Sequence, residues 1–500
     1  MTHTPVSAGQ RVCAGPFRYK MGTSGCREKY SIFTLDFVGN LTQAVCLFLK
    51  QHYSASDLGQ RGIIVGSDPR LDNPLRVRHV VAICAAHGIR TWLANSDGIA
   101  STPAVSFLIR KHKTCGGIIL TASHNPGGPQ GDAGFKFNSE NGGPALPSIS
   151  HAIVDIANQL GEYFLLTEPE VIASGLSHRL AAVSEYADAM AELFDFNLIK
   201  QSRLSLLIDT MHGATGAFAQ EIFVNRLGLS CQIIHADPLG DFGGRHPEPV
   251  EKNLPEVLAQ MQQGNFDLAA AYDSDGDRNK HVGRGGFVVS ASDLLAILAE
   301  HLPNLKGVGR SMPTSRAVDR VATAKGLPLY ETPTGWKFFV NLMEAGKLNL
   351  AGEESDGISS DHIREKDGIW ATLALLSVMA STGKSLEVLN RELWQHYGRI
   401  YYKRVNYPNI EPDRQKKIEA RLSQTAGVKI FLYTDLDGSV SANEGWIFEF
   451  GADERIVYRF SGTDTTATLR QYVERAYKQM DAQESEVLQV LVDHAQQFLG

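Results

Sequence analysis

The run Leu268-Ala269-Ala270-Ala271-Tyr272 passes without a break into Asp273-Ser274-Asp275-Gly276-Asp277-Arg278. Five apolar residues in a row have the length of a buried strand, and the glycine and charges that follow have the character of a loop. The same arrangement recurs along the chain. Arg61–Val65 ends at Gly66-Ser67-Asp68-Pro69-Arg70 and is followed by a helical segment through Val80 and Ala86. Gly116–Leu120 ends in another loop, and Leu204–Ile208 stops at Asp209 ahead of the glycine-rich turn 213–216. Strand-like runs alternating with helical ones read as α/β layers. Open α/β sheets bind their ligands just past the strand ends, where these polar residues stand.

At 500 residues the chain exceeds what one hydrophobic core serves, and roughly 100–200 residues per domain gives three or four. Breaks are expected near Leu180, Leu305 and Gly398, giving domains 1–180, 181–304, 305–397 and 398–500. The last is rich in strands (Ile400–Val405, Val428–Tyr433, Trp446–Phe450, Ile456–Phe460) and reads as α+β. No short repeat is present, which excludes a solenoid.

Composition narrows the function. Hydrophobic residues make up 43% and charged residues 21%, as in ordinary globular proteins. A net charge of −7 offers no basic footprint for nucleic acid. The six cysteines contain no CxxC pair, which speaks against zinc and for thiols in a reducing compartment. Residues 1–13 lack the apolar stretch of a signal peptide, and Trp370–Ala380 is about half the length of a bilayer span. A cytoplasmic protein without nucleic-acid or membrane partners is expected; oligomeric state is not legible.

Four motifs carry candidate chemistry. Thr121-Ala122-Ser123-His124-Asn125-Pro126-Gly127-Gly128 presents Ser123 past a strand, as an exposed nucleophile or as the capping serine of a tight turn. It is not a hydrolase elbow, because Asn125 stands where that motif requires a glycine. In the second motif, Asp273, Asp275 and Asp277 crowd three carboxylates together. A hard divalent cation such as Mg²⁺ resolves their repulsion, as solvation of an acidic turn also would. An EF-hand is excluded, since Arg278 and Arg284 fill its glycine and glutamate positions. The third, Gly352-Glu353-Glu354-Ser355-Asp356-Gly357 with 361–368 and Thr334-Gly335-Trp336-Lys337, fits sugar hydroxyls or a solvated loop. The fourth, Arg459-Phe460-Ser461-Gly462-Thr463 with Arg470, fits a phosphate dianion or a capped helix start. Thr382-Gly383-Lys384-Ser385 is not a Walker loop, because Val378 stands at the first glycine position.

Together, in this order, the motifs resemble the α-D-phosphohexomutase family and within it the glucose-type, phosphoglucomutase branch. The resemblance spans nearly the whole chain. It adds Gly22-Thr23-Ser24-Gly25 with Arg27, Phe135-Lys136-Phe137-Asn138, Asp241-Phe242-Gly243-Gly244 and Ser311-Met312-Pro313-Thr314-Ser315. Tyr330–Lys337 and Ser360–Trp370 point to the glucose branch.

The resemblance implies three similar α/β domains around a cleft and a smaller C-terminal α+β domain. It implies reversible interconversion of glucose 1-phosphate and glucose 6-phosphate, with Mg²⁺ as cofactor and glucose 1,6-bisphosphate as intermediate and activator. Ser123 would carry the phosphoryl group, and Asp273, Asp275 and Asp277 would hold Mg²⁺ together with a phosphoserine oxygen. Arg27, Arg278 and Lys136 would meet the transferring group, with Lys366 near the reacting end. Thr23, Thr334, Glu353 and Ser355 would contact the substrate, and Arg459, Ser461, Gly462, Thr463 and Arg470 its distal phosphate. Serine needs a base, for which Lys136 and His124 are both candidates. Asp356 stands where glucose-type relatives carry an aromatic residue, and the loop after Ser461 lacks their further glycines.

Overall fold

The computed structural model describes residues 9–15, 17–22, 25–436, 438–441, 444–451, 453–461 and 467–499. The chain forms two compact units, residues 1–288 with 362–383, and 289–361 with 384–500.

Besides a two-stranded ribbon of Gln10–Cys13 with Glu162–Leu165, the first unit holds two larger sheets. Strands β1 (Cys26–Lys29), β2 (Ile63–Ser67), β3 (Thr91–Ala94), β4 (Gly117–Leu120), β5 (Asp132–Asn138) and β6 (Ser177–Leu180) lie in the order β1-β5-β4-β2-β3-β6. The four strands from β4 to β6 in that order run parallel, and β5 and β1 close the edge antiparallel. Every residue of β2 and β4 is buried, as parallel strands covered on both faces require. The second sheet comprises β7 (Ser205–Asp209), β8 (Ser230–Ile234), β9 (Leu268–Tyr272), β10 (Asn279–Gly283) and β11 (Phe287–Val288), ordered β8-β7-β9-β10-β11. Its parallel core again ends in an antiparallel edge. The apolar run Leu268–Tyr272 is β9, buried throughout, with the acidic loop at its C-terminal end.

The second unit has the same plan once more. Strands β12 (Val308–Ser311), β13 (Leu329–Thr332), β14 (Leu350–Glu353) and β15 (Gly357–Ser360) are ordered β13-β12-β14-β15, with only β15 antiparallel. A wholly antiparallel sheet follows, made of β16 (Ile400–Ile410), β17 (Val428–Ile430), β18 (Trp446–Glu449), β19 (Glu454–Phe460) and β20 (Ala467–Ala476). Its order is β16-β20-β19-β18-β17. Three α/β layers and a C-terminal α+β layer are therefore present.

Packing divides the chain differently from its linear pattern in two places. The helix Ala291–His301 packs on the helices Ala317–Lys325 and Leu386–Tyr397, so it sits with the third sheet although it precedes Leu305. The segment 362–383 joins the first unit, where the helix Gly368–Thr382 packs on the helix Phe196–Gln201 and on β10. Asp367 caps that helix at the Trp370 amide, 3.0 Å away, and also accepts from the Tyr186 hydroxyl at 2.6 Å. The apolar stretch Trp370–Ala380 is thus a buried core helix, and no single described helix is long and apolar enough to cross a membrane. Gly383 takes a left-handed φ of 68° to end it, and Ser385 caps the next helix. The 382–385 motif is a helix–helix joint.

Candidate active site

Ser123 follows β4 with φ +52°, a left-handed backbone that is costly for a residue with a side chain. Its neighbours hold it there. The Thr121 hydroxyl accepts from the Ser123 amide at 2.8 Å. The Ser123 carbonyl accepts from Arg70 Nη2 and lies 2.6 Å from Ser274 Oγ. Arg70 is 2% exposed and also donates to the carbonyls of Asn125, Pro126 and Asp132, so one guanidinium shapes the whole serine loop. Asp68, fully buried, pairs with Arg70 Nε at 3.0 Å. The parallel register Ser67↔Leu120 brings these two strand-end loops side by side.

The acidic loop meets the serine loop directly. Ser123 Oγ donates to Asp273 Oδ2 at 2.7 Å. Asp273, Asp275 and Asp277 are all buried, and their ligand oxygens lie within 4.8 Å of one another. Asp273 Oδ1 accepts from the Arg278 amide at 3.0 Å, while Asp275 Oδ1 and Asp277 Oδ1 are buried without a hydrogen-bond partner. Burial, and then the charges of Asp275 and Asp277, push the Asp273 carboxyl far above its ordinary range. Burial also works to raise Asp275, but the charge and hydrogen bond of Lys136 outweigh it and hold that carboxyl low. Orphaned, mutually repelling oxygens with no nitrogen or sulfur among them suit a hard, oxygen-seeking cation.

Cations ring the carboxylates. Lys136, on β5, donates to Asp275 Oδ2 at 2.7 Å and lies 3.7 Å from Asp277. Lys366 Nζ lies 3.4 Å from Asp277 Oδ2. Arg27, on β1, reaches Asn125 Oδ1 at 3.3 Å, and burial followed by repulsion from Arg278 lowers its pKa to about 10. Burial favours a neutral Lys136, but Asp275, Asp277 and Glu365 override it and keep the ammonium protonated. His124 behaves in the opposite sense. Burial first, then Arg278 and Arg27, hold its imidazole neutral, with Nδ1 3.5 Å from Ser123 Oγ.

In the second unit, Glu353 is buried at the end of β14 and accepts from the Gly335 amide at 3.0 Å, which ties the third motif to the 334–337 loop. Thr334 Oγ1 is buried without a partner. Ser355 and Asp356 form the turn into β15, where Asp356 takes φ +65°, a conformation that aspartate tolerates better than an aromatic does. Arg459 on β19 stands directly opposite Arg470 on β20, and Ser461 donates its amide to Thr468 O at 2.9 Å. Burial disfavours charge on Arg459, but Tyr472, Glu354 and Glu444 keep it protonated. Thr23, Gly462 and Thr463 lie outside the described residues.

Comparison with known proteins matches this chain to the phosphoglucomutase/phosphomannomutase α/β/α domain I over residues 18–164, domain II over 184–286 and domain III over 290–397. Residues 399–500 match the phosphoglucomutase-1 C-terminal domain. The chain is 39% identical to phosphoglucomutase-1 of Bos taurus, with 92% of this chain and 91% of that protein covered. It is 40% identical to the phosphoglucomutase of Emericella nidulans, covering 93% and 92%. The open form of pp63/parafusin, a phosphoglucomutase from Paramecium, superposes with a TM-score of 0.86 at 34% identity, covering 98% of this chain and 96% of that one. The chain belongs to the α-D-phosphohexomutase family.

Several residues of this family member's site escape sequence reasoning. Thr102, at the start of the helix Thr102–His112, donates its hydroxyl to Asp275 Oδ2 at 2.7 Å and its amide to the Asp275 carbonyl at 2.8 Å. Glu365, buried, accepts from Asn138 Nδ2 at 2.9 Å. Asp68 and Arg70 carried a signal, since they follow a strand end, but nothing in their spacing tied them to Ser123. Thr102 carried none.

Proposed function

We propose that this phosphohexomutase interconverts α-D-glucose 1-phosphate and glucose 6-phosphate through a phosphoserine at Ser123 and a glucose 1,6-bisphosphate intermediate. The observation that carries the reading is the Ser123 hydroxyl, held in a left-handed backbone 2.7 Å from a buried triad of carboxylates and ringed by Arg27, Arg278, Lys136 and Lys366. Phosphoryl transfer demands in-line positioning and cancellation of charge on the equatorial oxygens, and the surrounding cations are suited to the second demand.

Asp273, Asp275 and Asp277 would hold Mg²⁺, which when bound neutralises charge on the phosphoryl oxygens. Arg27, Arg278 and Lys366 bind the transferring group. Lys136, kept protonated by Asp275, contributes charge and holds that aspartate in place. The proton that the attacking sugar hydroxyl loses is the one Ser123 Oγ gains as the phosphoryl group leaves, and His124, 3.5 Å from Oγ, would carry it there and take it back when Oγ attacks the bisphosphate. A dianionic phosphate on Ser123 raises the proton affinity of the neighbouring imidazole, which is otherwise neutral.

Thr334, Glu353 and Ser355 hold the sugar, and Thr23 is a further substrate contact. Arg459 and Arg470, with Ser461, Gly462 and Thr463, bind the distal phosphate. The two guanidiniums face each other across adjacent strands, a pair of donors suited to a phosphate dianion. The roles fall on domains 1–180, 181–304, 305–397 and 398–500 in the order nucleophile, metal, sugar and phosphate. A cytoplasmic setting fits six free cysteines.

The test is a coupled assay of glucose 1-phosphate conversion with Mg²⁺ and trace glucose 1,6-bisphosphate, run on the wild type and Ser123→Ala. Turnover should vanish in the variant, and phosphopeptide mapping of the wild type should place the phosphate on Ser123. A fully active alanine variant would sink the mechanism.

A further inference from the structure

Ser274 lies between two of the acidic-loop aspartates, yet its side chain serves the other loop. Its Oγ is 2.6 Å from the Ser123 carbonyl oxygen and 2.9 Å from Asp68 Oδ2. The residue is fully buried, so water does not substitute for these bonds. A hydroxyl carries one hydrogen, and here that hydrogen is shared between two acceptors in a three-centre bond. Asp68 accepts further from Thr121 Oγ1 at 2.7 Å and from Arg70, the two residues that fix the Ser123 amide and carbonyl. Four side chains on three separate loops thus converge on one backbone conformation, and Ser274 is the member contributed by the loop that holds the carboxylates.

We infer that Ser274 is a positioning residue for phosphoryl transfer, its hydroxyl locking the nucleophile loop to the acidic loop so that Ser123 Oγ and the carboxylates keep a fixed separation. The inference rests on the proposed role of Ser123. Removing the hydroxyl leaves the Ser123 carbonyl to Arg70 alone and frees the two loops to shift against each other. Displacements of about 1 Å at a reacting centre cost on the order of 100-fold in rate, and loss of a supporting hydrogen bond behind a site about 10- to 100-fold.

The experiment compares Ser274→Ala and Ser274→Thr with the wild type and Ser123→Ala. It measures kcat, KM for glucose 1-phosphate, melting temperature, and the rate at which glucose 1,6-bisphosphate phosphorylates the dephospho-protein, followed by intact mass. Ser274→Ala should lower kcat and the phosphorylation rate by about tenfold or more. KM and melting temperature should stay near wild type, and threonine, which restores the hydroxyl, should recover most of the loss. An alanine variant with wild-type kcat and phosphorylation rate, or one whose loss merely follows a lowered melting temperature and is not recovered by threonine, overturns the inference. An active Ser123→Ala protein would instead overturn the function on which it rests.

Discussion

Lys136 Nζ and Asp275 Oδ2 form an ion pair 2.7 Å long in which both side chains are nearly sealed from solvent. It joins β5 of the first sheet to the loop after β9, so it fixes charge and geometry together.

Lys136→Met should therefore destabilise the metal-free protein strongly. Removing one partner of a buried pair typically costs about 3–5 kcal/mol, because the other charge is left uncompensated. A divalent cation at the aspartates supplies part of the missing charge. Urea unfolding in chelator should show the full loss, and unfolding with excess Mg²⁺ a smaller one. Equal losses under both conditions would separate Lys136 from the cation site.

Asp275→Asn should cut turnover on the order of 100-fold or more, since a metal-held charge is worth several kcal/mol in the transition state. The variant also breaks the ion pair with Lys136 and should be less stable, but Lys136 keeps Asp277 at 3.7 Å and Thr102 can still donate to the amide oxygen, so activity is compared at a temperature well below unfolding. Chelation of the wild type should stop turnover and added Mg²⁺ restore it, followed in the coupled assay. Undiminished activity in excess chelator would rule out the metal role.

The facing pair Arg459 and Arg470 separates binding from stability. Losing one charge-assisted phosphate contact costs about 1.5–3 kcal/mol, roughly 10- to 100-fold in KM. Losing one of two facing like charges relieves repulsion by about 0.2–1 kcal/mol, which the lost interactions of Arg459 with Tyr472, Glu354 and Glu444 offset. Arg459→Gln should raise KM and the requirement for added glucose 1,6-bisphosphate while leaving the melting temperature near that of the wild type. A variant that matches wild type at every bisphosphate concentration would show that the phosphate is held elsewhere.

Glu365 gives the protein a pH-dependent weakness. Burial lifts its carboxyl from 4.5 to about 7, against the opposing charge of Lys136. In the unfolded chain it ionises near 4.5, so between about 4.5 and 7 the folded state binds the extra proton. Stability from this group is thus full at low pH and falls as pH rises through that window, by up to about 3 kcal/mol. In Glu365→Gln this contribution is absent, so above pH 7 the metal-free variant should melt higher than the wild type. Thermal unfolding of both proteins across pH 5–8 in chelator checks this, and parallel curves would refute it.

The sequence by itself determined the local chemistry. Apolar runs ending in polar loops specified α/β layers, because strand burial and strand-end loops are written in consecutive residues. Ser123 and the three aspartates were legible for the same reason: each motif packs its chemistry into a few adjacent positions. The tertiary structure alone decided what those groups meet. Thr102 and Asp275 are 173 residues apart, and Ser274 and Ser123 are 151 apart. Such pairs arise from sheet register and loop packing, to which no local spacing refers. The contrasting protonation of His124 and Lys136 arises the same way. Both are buried, but the cations Arg278 and Arg27 face the imidazole while the carboxylates of Asp275 and Asp277 face the ammonium. A protonation state depends on the field of every charge nearby, and only the folded chain assembles that field.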